Sequence, residues 1–279
     1  MPLGQGQVCQ ENFAQKMLNW VFMNAIKLLY PGLNAYTLAF QSDWLEEIRA
    51  SFAAEISPFL EAQEQAELFV GGRYLHQPLK TEPCDYALIS YDTWPLYWFP
   101  NHSPASWQIF HRFFEKLKLS QALKGHLHFK RRLVMYAGFF VIGNRALEEM
   151  WHFDYRPGAQ AMTLIAPLFE LSPEHGHVLY QTPTQASSRY TYRPNQALIF
   201  GAGFYHSTEP YPPSSNFRVL FSLTFGSDDW QDWPLIKENI AEQSVLYGLP
   251  CGHLSGRCDC EERSKNSWFQ RFKQKFSSK

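Results

Sequence analysis

The chain predicts an α+β protein: helices first, then an antiparallel β sandwich or barrel, then a closing helix. Three observations carry this. The 279 residues are 45% hydrophobic and 16% aromatic, enough for a substantial buried core. Apolar residues recur at helical spacing in the first third. From Leu127 onward they fall instead into short runs separated by turn residues.

Taken in order, residues 11–29 carry an amphipathic helical pattern that stops at Tyr30-Pro31-Gly32. The stretch SDWLEEIRASFAAEI offers Asp43 as N-cap, with Glu46 three residues on, and ends before Pro58. A third helix opens at SPASWQIFHRFFEKLK, where Ser103 caps and Pro104 takes the first helical position. Six strand candidates follow, at residues 132–144, 161–171, 176–183, 188–194, 195–206 and 217–226. Residues 228–248 return as a helix. The chain thus divides into a helical region over 1–126 that packs on the core and adds sheet or lid elements, a β core over 127–230, and a segment over 231–279 with a helix, a Cys/His cluster and a basic tail.

Charge and composition exclude several classes. Twenty-five basic against 26 acidic residues give a formal net charge of −1, which disfavours nucleic acid as a partner. The apolar stretch near residues 17–30 is broken by Asn19, Asn24 and Lys27, so no integral membrane association is expected. Five cysteines, three of them crowded near the end, suit reduced thiols and a cytoplasmic location better than a disulfide framework.

The chemistry concentrates in EEMWHFDYRPGAQ. His152 and Asp154 stand two residues apart, which on an extended strand puts both side chains on one face. Fifty-two residues beyond Asp154, a strand and a Gly-containing turn deliver His206. Two imidazoles and one carboxylate suit Fe(II) and leave coordination positions open. Arg218 opens the apolar strand RVLFSLTF and calls for an anion, with the Ser222 hydroxyl four residues on and on the same strand face.

In order and spacing, these residues resemble the non-haem Fe(II)- and 2-oxoglutarate-dependent dioxygenases over about residues 150–225. The family pattern is His-x-Asp, a distal His roughly fifty residues later and an Arg or Lys about ten beyond. The resemblance implies a double-stranded β-helix (jelly-roll, cupin-like) core, flanked by the N-terminal helices and the C-terminal helical segment. It also implies Fe(II) held by His152, Asp154 and His206, and 2-oxoglutarate with its C5 carboxylate on Arg218. With O2, an unactivated C–H bond of a small molecule or peptide side chain would be oxidised, with formation of succinate and CO2. A carboxylate at 154 points to hydroxylation or a related oxidation and away from halogenation, because family halogenases carry Gly or Ala there. Tyr136 and Asn144, on the strand before the ligand pair, are candidate 2-oxoglutarate contacts by position. Two departures stand out: Asn195 replaces the Gly expected before the penultimate strand, and Ser222 lies four residues after the arginine where Arg-x-Ser is usual. The alternatives are a non-catalytic ligand-binding or sensing β-helix, and an iron oxidase that does not use 2-oxoglutarate.

Other clusters compete for attention. His175 and His177 read as a connecting loop, and His126 and His128 as solvated residues or aids to a polar substrate. The aromatic run at residues 92–107 reads as core and edge packing, or as a wall over the iron. Cys251, His253, Cys258 and Cys260 fall within ten residues and are candidate ligands for a structural zinc, with free thiols as the alternative. Trp268, Phe272 and Phe276, interleaved with Arg271, Lys273 and Lys275, form a basic amphipathic tail suited to a membrane surface, a protein partner or folding back on the domain.

Overall fold

The computed structural model describes residues 26–62, 75–78, 85–91 and 94–262. The basic aromatic tail and most of the first expected helix lie outside the described residues. Two sheets face each other. The larger has nine antiparallel strands in the order β1 (Lys27–Leu28), β2 (Ala35–Ala39), β10 (Gln196–Gly201), β7 (Ala161–Pro167), β12 (Arg218–Ser227), β6 (Leu133–Gly143), β5 (Trp94–Pro100), β4 (Ala87–Tyr91), β3 (Leu75–Pro78). The smaller has the order β11 (His206–Thr208), β8 (Val178–Gln181), β9 (Ser187–Tyr190). It is extended by antiparallel bridges from His152 to His206 and from Ala146 to Tyr211. This is the sandwich of a jelly-roll, double-stranded β-helix fold, with helices flanking the larger sheet.

Burial explains the texture of the strands. β6 and β12 are buried at every position, so they read as continuous apolar runs instead of alternating ones. One face of the larger sheet packs under helices: Phe140, Ile142 and Phe221 meet Phe52, Phe110 and Phe113. The other face meets the smaller sheet, where Phe139, Val141 and Leu220 oppose Val178, Tyr180 and Tyr190.

The helices are α1 (Glu46–Ser51) and α2 (Ser57–Ala62), separated by a π-helical turn at Phe52–Ile56, then α3 (Pro104–Leu117), α4 (Leu119–Ala122) and α5 (Trp233–Gln243). Ser103 caps α3, accepting from the Ser106 backbone N–H at 3.1 Å, with Pro104 in the first position. Asp43 is not a cap. It lies inside a 3-10 turn at Ser42–Leu45 whose capping residue is Gln41. Lys27 and Leu28, expected at the end of a helix, pair instead with Thr37 and Tyr36 as strand β1. The five strands β1 to β5, expected only loosely as sheet additions, are integral to the larger sheet: β2 pairs with β10 and β5 with β6. Asn195 has φ 58, the left-handed region that Gly and Asn enter at least cost, and so meets the requirement of the absent glycine. No helix among the described residues is long and apolar enough to cross a membrane.

Candidate metal centre and cosubstrate pocket

The register of the backbone assembles the centre. His152 and His206 exchange both backbone hydrogen bonds, N–H to O=C, at 2.9 and 3.1 Å. Residues paired this way project side chains to the same side, and their ring centroids lie 4.4 Å apart. Asp154, two residues beyond His152, joins them. Its Oδ1 is 3.4 Å from His152 Nε2 and 3.6 Å from His206 Nε2. One ligand atom from each of the three residues falls within 4.8 Å of the others.

Each imidazole is oriented from behind. His152 Nδ1 lies 2.9 Å from the Met150 carbonyl and His206 Nδ1 lies 3.1 Å from that of Phe204. A carbonyl only accepts, so both Nδ1 atoms carry the proton and both Nε2 atoms aim at Asp154. Asp154 Oδ2 accepts from Thr163 Oγ1 at 2.7 Å, and Tyr155 donates in turn to Thr163 at 3.0 Å. The Asp154 backbone carbonyl accepts from Asn239 Nδ2 on α5. Burial opposes the charge on Asp154, yet the His152 hydrogen bond, the fields of His206 and His152, and the Thr163 hydroxyl outweigh it, so its carboxyl lies below the usual range. Burial also disfavours a charged His152, but its hydrogen bond and attraction to Asp154 leave it above the usual range. His206, enclosed by Phe200 and Phe204, is held below it by desolvation. Two oriented nitrogens and one ionised oxygen that converge on one point make a donor set that fits Fe(II).

The centre opens into a cavity of about 280 Å3 between the two sheets. Arg218, Leu220 and Ser222 line it from alternate positions of β12, as expected for one strand face. Arg218 is only 2% exposed, and its guanidinium carbon sits 5.4 Å from the centroid of the Tyr192 ring. Its Nε and the Ser222 hydroxyl have no hydrogen-bond partner, and none of the ion pairs among the described residues includes Arg218. A buried guanidinium without a counter-charge costs several kcal/mol, which makes Arg218 a candidate to hold an anion. Burial pushes the Tyr192 phenol up to about 12, against the lowering field of Arg218, so Tyr192 remains a neutral donor.

The remaining expected residues fall in different places. Tyr136 and Asn144 do not line the cavity. Both are three residues from a lining residue of β6, Phe139 or Val141, and an odd offset turns a side chain to the opposite face. The Tyr136 hydroxyl donates to the Ser227 carbonyl at 2.5 Å, and its ring packs on Trp233. His177 is spent on structure, accepting from the Tyr192 backbone N–H at 3.2 Å, and His175 bonds the Asn216 carbonyl. His126 bonds the Tyr36 hydroxyl and His128 pairs with Asp232. Both readings of the aromatic run hold at alternate positions: Leu96 and Trp98 wall the cavity while Tyr97 and Phe99 enter the core. Cys251, His253, Cys258 and Cys260 converge in a separate cluster.

Sequence reasoning missed Thr163, Tyr192, Asn239, Glu242 and Gln243, all of which line the cavity. Thr163 carried a signal, being the one hydroxyl in the apolar run AMTLIAP. The α5 residues carried none.

No protein-family model and no curated protein sequence matches the chain. Among solved structures it is similar to a prolyl-4-hydroxylase from Pseudomonas putida, at 12% identity and a TM-score of 0.43 over 70% of this chain and 94% of that one. It is also similar to the non-haem α-ketoglutarate-dependent epimerase SnoN from nogalamycin biosynthesis, at 10% identity and a TM-score of 0.47 over 76% and 84%. A third similar structure is HygX from Streptomyces hygroscopicus with nickel and 2-oxoglutarate bound, at 13% identity and a TM-score of 0.43 over 70% and 83%.

Proposed function

We propose that this protein is an Fe(II)- and 2-oxoglutarate-dependent oxygenase that hydroxylates a C–H bond of a small molecule or peptide side chain. One observation carries the reading: the His152, Asp154 and His206 donors share one cavity with the buried Arg218, whose Nε has no hydrogen-bond partner. Bound together, iron, 2-oxoglutarate and O2 supply the oxidising power, and succinate and CO2 are the co-products.

The chain's own residues bind and orient. His152 and His206 present fixed Nε2 donors because their Nδ1 protons are held by carbonyls. Asp154 offers Oδ1 while Thr163 holds Oδ2. Arg218 takes the far carboxylate of a dicarboxylate in a charge-assisted pair, with Ser222 as a further donor. Phe139, Ile165 and Leu220 give the cavity apolar surface beside Arg218, which strengthens that pair. Phe153, 54% exposed and lining the cavity, and Glu242 and Gln243 on α5 are the residues placed to meet a substrate.

Anaerobic addition of Fe(II) and then 2-oxoglutarate tests the assignment, because metal and cosubstrate rest on different residues. Wild-type protein should develop a weak visible charge-transfer band and, in air, form succinate. His152→Ala and His206→Ala should lose iron. Arg218→Gln should keep iron but bind 2-oxoglutarate about 100- to 5,000-fold more weakly, as expected when removal of one partner of a buried pair costs about 3–5 kcal/mol. Iron binding with neither band nor succinate would overturn the cosubstrate assignment in favour of an oxidase independent of 2-oxoglutarate. Failure to bind iron would leave a ligand-binding β-helix.

A further inference from the structure

We propose that Cys251, His253, Cys258 and Cys260 form a second metal site, separate from the iron centre, that holds one tetrahedral structural zinc ion. Their four ligand atoms lie within 4.8 Å of one another. The Cys251 and Cys258 sulfurs are 3.7 Å apart, and Cys260 Sγ is 4.0 Å from His253 Nδ1. A regular tetrahedron with Zn–S bonds of about 2.3 Å has S···S edges of about 3.8 Å, which the first distance matches. A disulfide needs about 2.05 Å and would leave His253 and Cys260 unexplained.

Backbone contacts bring the two ligand pairs together. Gly248 and Leu254 pair as an isolated antiparallel bridge, and the Leu249 N–H donates to the His253 carbonyl at 2.8 Å. Gly252 (φ 85) and Gly256 (φ 72) take left-handed conformations at the turns on either side of His253. Three thiolates and a neutral imidazole on Zn2+ carry a net charge of −1. Arg132 supplies the compensation: its guanidinium lies so close to Gly252 that a Cβ there would come within 2.6 Å of it.

The location gives the site its purpose. Cys251 and Cys258 pack against the cluster that contains Tyr136, Trp233 and Ile236. The Gly248 N–H donates to the Tyr136 carbonyl at 2.6 Å, and Lys237 on α5 pairs with Glu261, next to Cys260. A zinc ion here closes the chain around α5, the helix that lends Asn239, Glu242 and Gln243 to the cavity.

Metal analysis and cobalt substitution test the proposal on the intact protein. Wild-type protein from zinc-supplemented medium should carry about one zinc per chain, and His152→Ala should keep it. Cys258→Ser with Cys260→Ser should lose it while still binding Fe(II), and His253→Ala, the milder change, should weaken zinc about tenfold or more. Cobalt(II) added to zinc-depleted wild-type protein should give tetrahedral visible bands and a near-ultraviolet thiolate band. Chelation should expose residues 244–262 to limited proteolysis. Zinc that stays in the double variant, a cobalt spectrum without the thiolate band, or a wild-type mass two hydrogens short from a Cys251–Cys258 disulfide would each overturn the proposal. Should the double variant fail to fold, the wild-type zinc content and cobalt spectrum decide alone.

Discussion

Thr163 illustrates how much rests on one hydroxyl. It donates to Asp154 Oδ2 and accepts from Tyr155, whose phenol burial drives far above its usual range and so keeps protonated. Thr163→Val preserves shape and removes the donor. Iron affinity should fall about 10- to 100-fold, as when other groups that orient metal ligands are removed, with little loss of fold. Competition with a chromophoric chelator under anaerobic conditions measures it, and unchanged affinity would mean that Asp154 is oriented by its other neighbours. Asp229 gives a pH-dependent case far from the ligands. Burial works against its charge, but the Gln231 backbone N–H, at 3.0 Å, and Lys130 Nζ, at 2.8 Å, more than compensate, and its carboxyl lies below the usual range. A depressed folded-state value stabilises the protein above the unfolded value of about 4, and the contribution disappears as pH falls through the folded value. Asp229→Asn should therefore be less stable by about 1 kcal/mol at pH 7, discounting the exposed lysine, and the difference should vanish toward pH 2. Urea unfolding across that range checks both the size and the sign.

Among the elements, α3 and β6 depend on one missing side chain. A Cβ at Gly138 would lie 2.2 Å from Phe110 Cγ, so α3 sits on the sheet only because position 138 has none. Gly138→Ala should destabilise the protein by about 1–3 kcal/mol through overpacking against Phe110. Ser103→Ala, which removes the α3 cap, should cost about 1 kcal/mol. Chemical denaturation of the two variants separates the effects, since the glycine change also displaces β6, whose Phe139 and Val141 wall the cavity, and should weaken 2-oxoglutarate binding. An unchanged cosubstrate affinity in Gly138→Ala would mean that the cavity face of β6 is held independently of α3.

For the whole molecule, Asn101 joins β6 to the segment that follows α5. Buried completely, it accepts from the Gly138 N–H at 2.8 Å and donates to the Leu246 carbonyl at 2.7 Å, while its own carbonyl accepts from Ser244 Oγ. Asn101→Ala leaves a buried donor and acceptor unpaired and should cost about 2–4 kcal/mol. Because one of the lost bonds holds Leu246, between α5 and the Cys/His cluster, hydrogen exchange should rise first over residues 244–262. A uniform rise across the sheet would show instead that Asn101 supports the core as a whole.

His152, Asp154, His206 and Arg218 were legible because the properties that mark them are local. A two-residue spacing specifies one strand face, and a cation in an apolar run demands a partner wherever the strand lies. The six strands of the β core and α3 were legible for the same reason, since burial on both faces and a capped N-terminus leave their marks within a dozen residues. Strands β1 to β5 were not, because the two that tie them into the larger sheet pair with segments far away in sequence: Tyr36 of β2 with Ile199, Trp98 of β5 with Val141. β11 is only three residues long and is defined by its pairing with β8, so no pattern of its own exists to be read. Tyr136 and Asn144 were placed by proximity along the chain, whereas the alternation of β6 about Phe139 and Val141 turns them from the cavity. Thr163, Tyr192 and Asn239 enter the site from three separate elements. Which of many polar residues meets a given carboxylate or guanidinium is decided by sheet register and by where α5 returns, and these depend on contacts between distant parts of the chain. Chemistry carried by residue type and short spacing was written in the sequence, and only the folded chain decided which groups orient it.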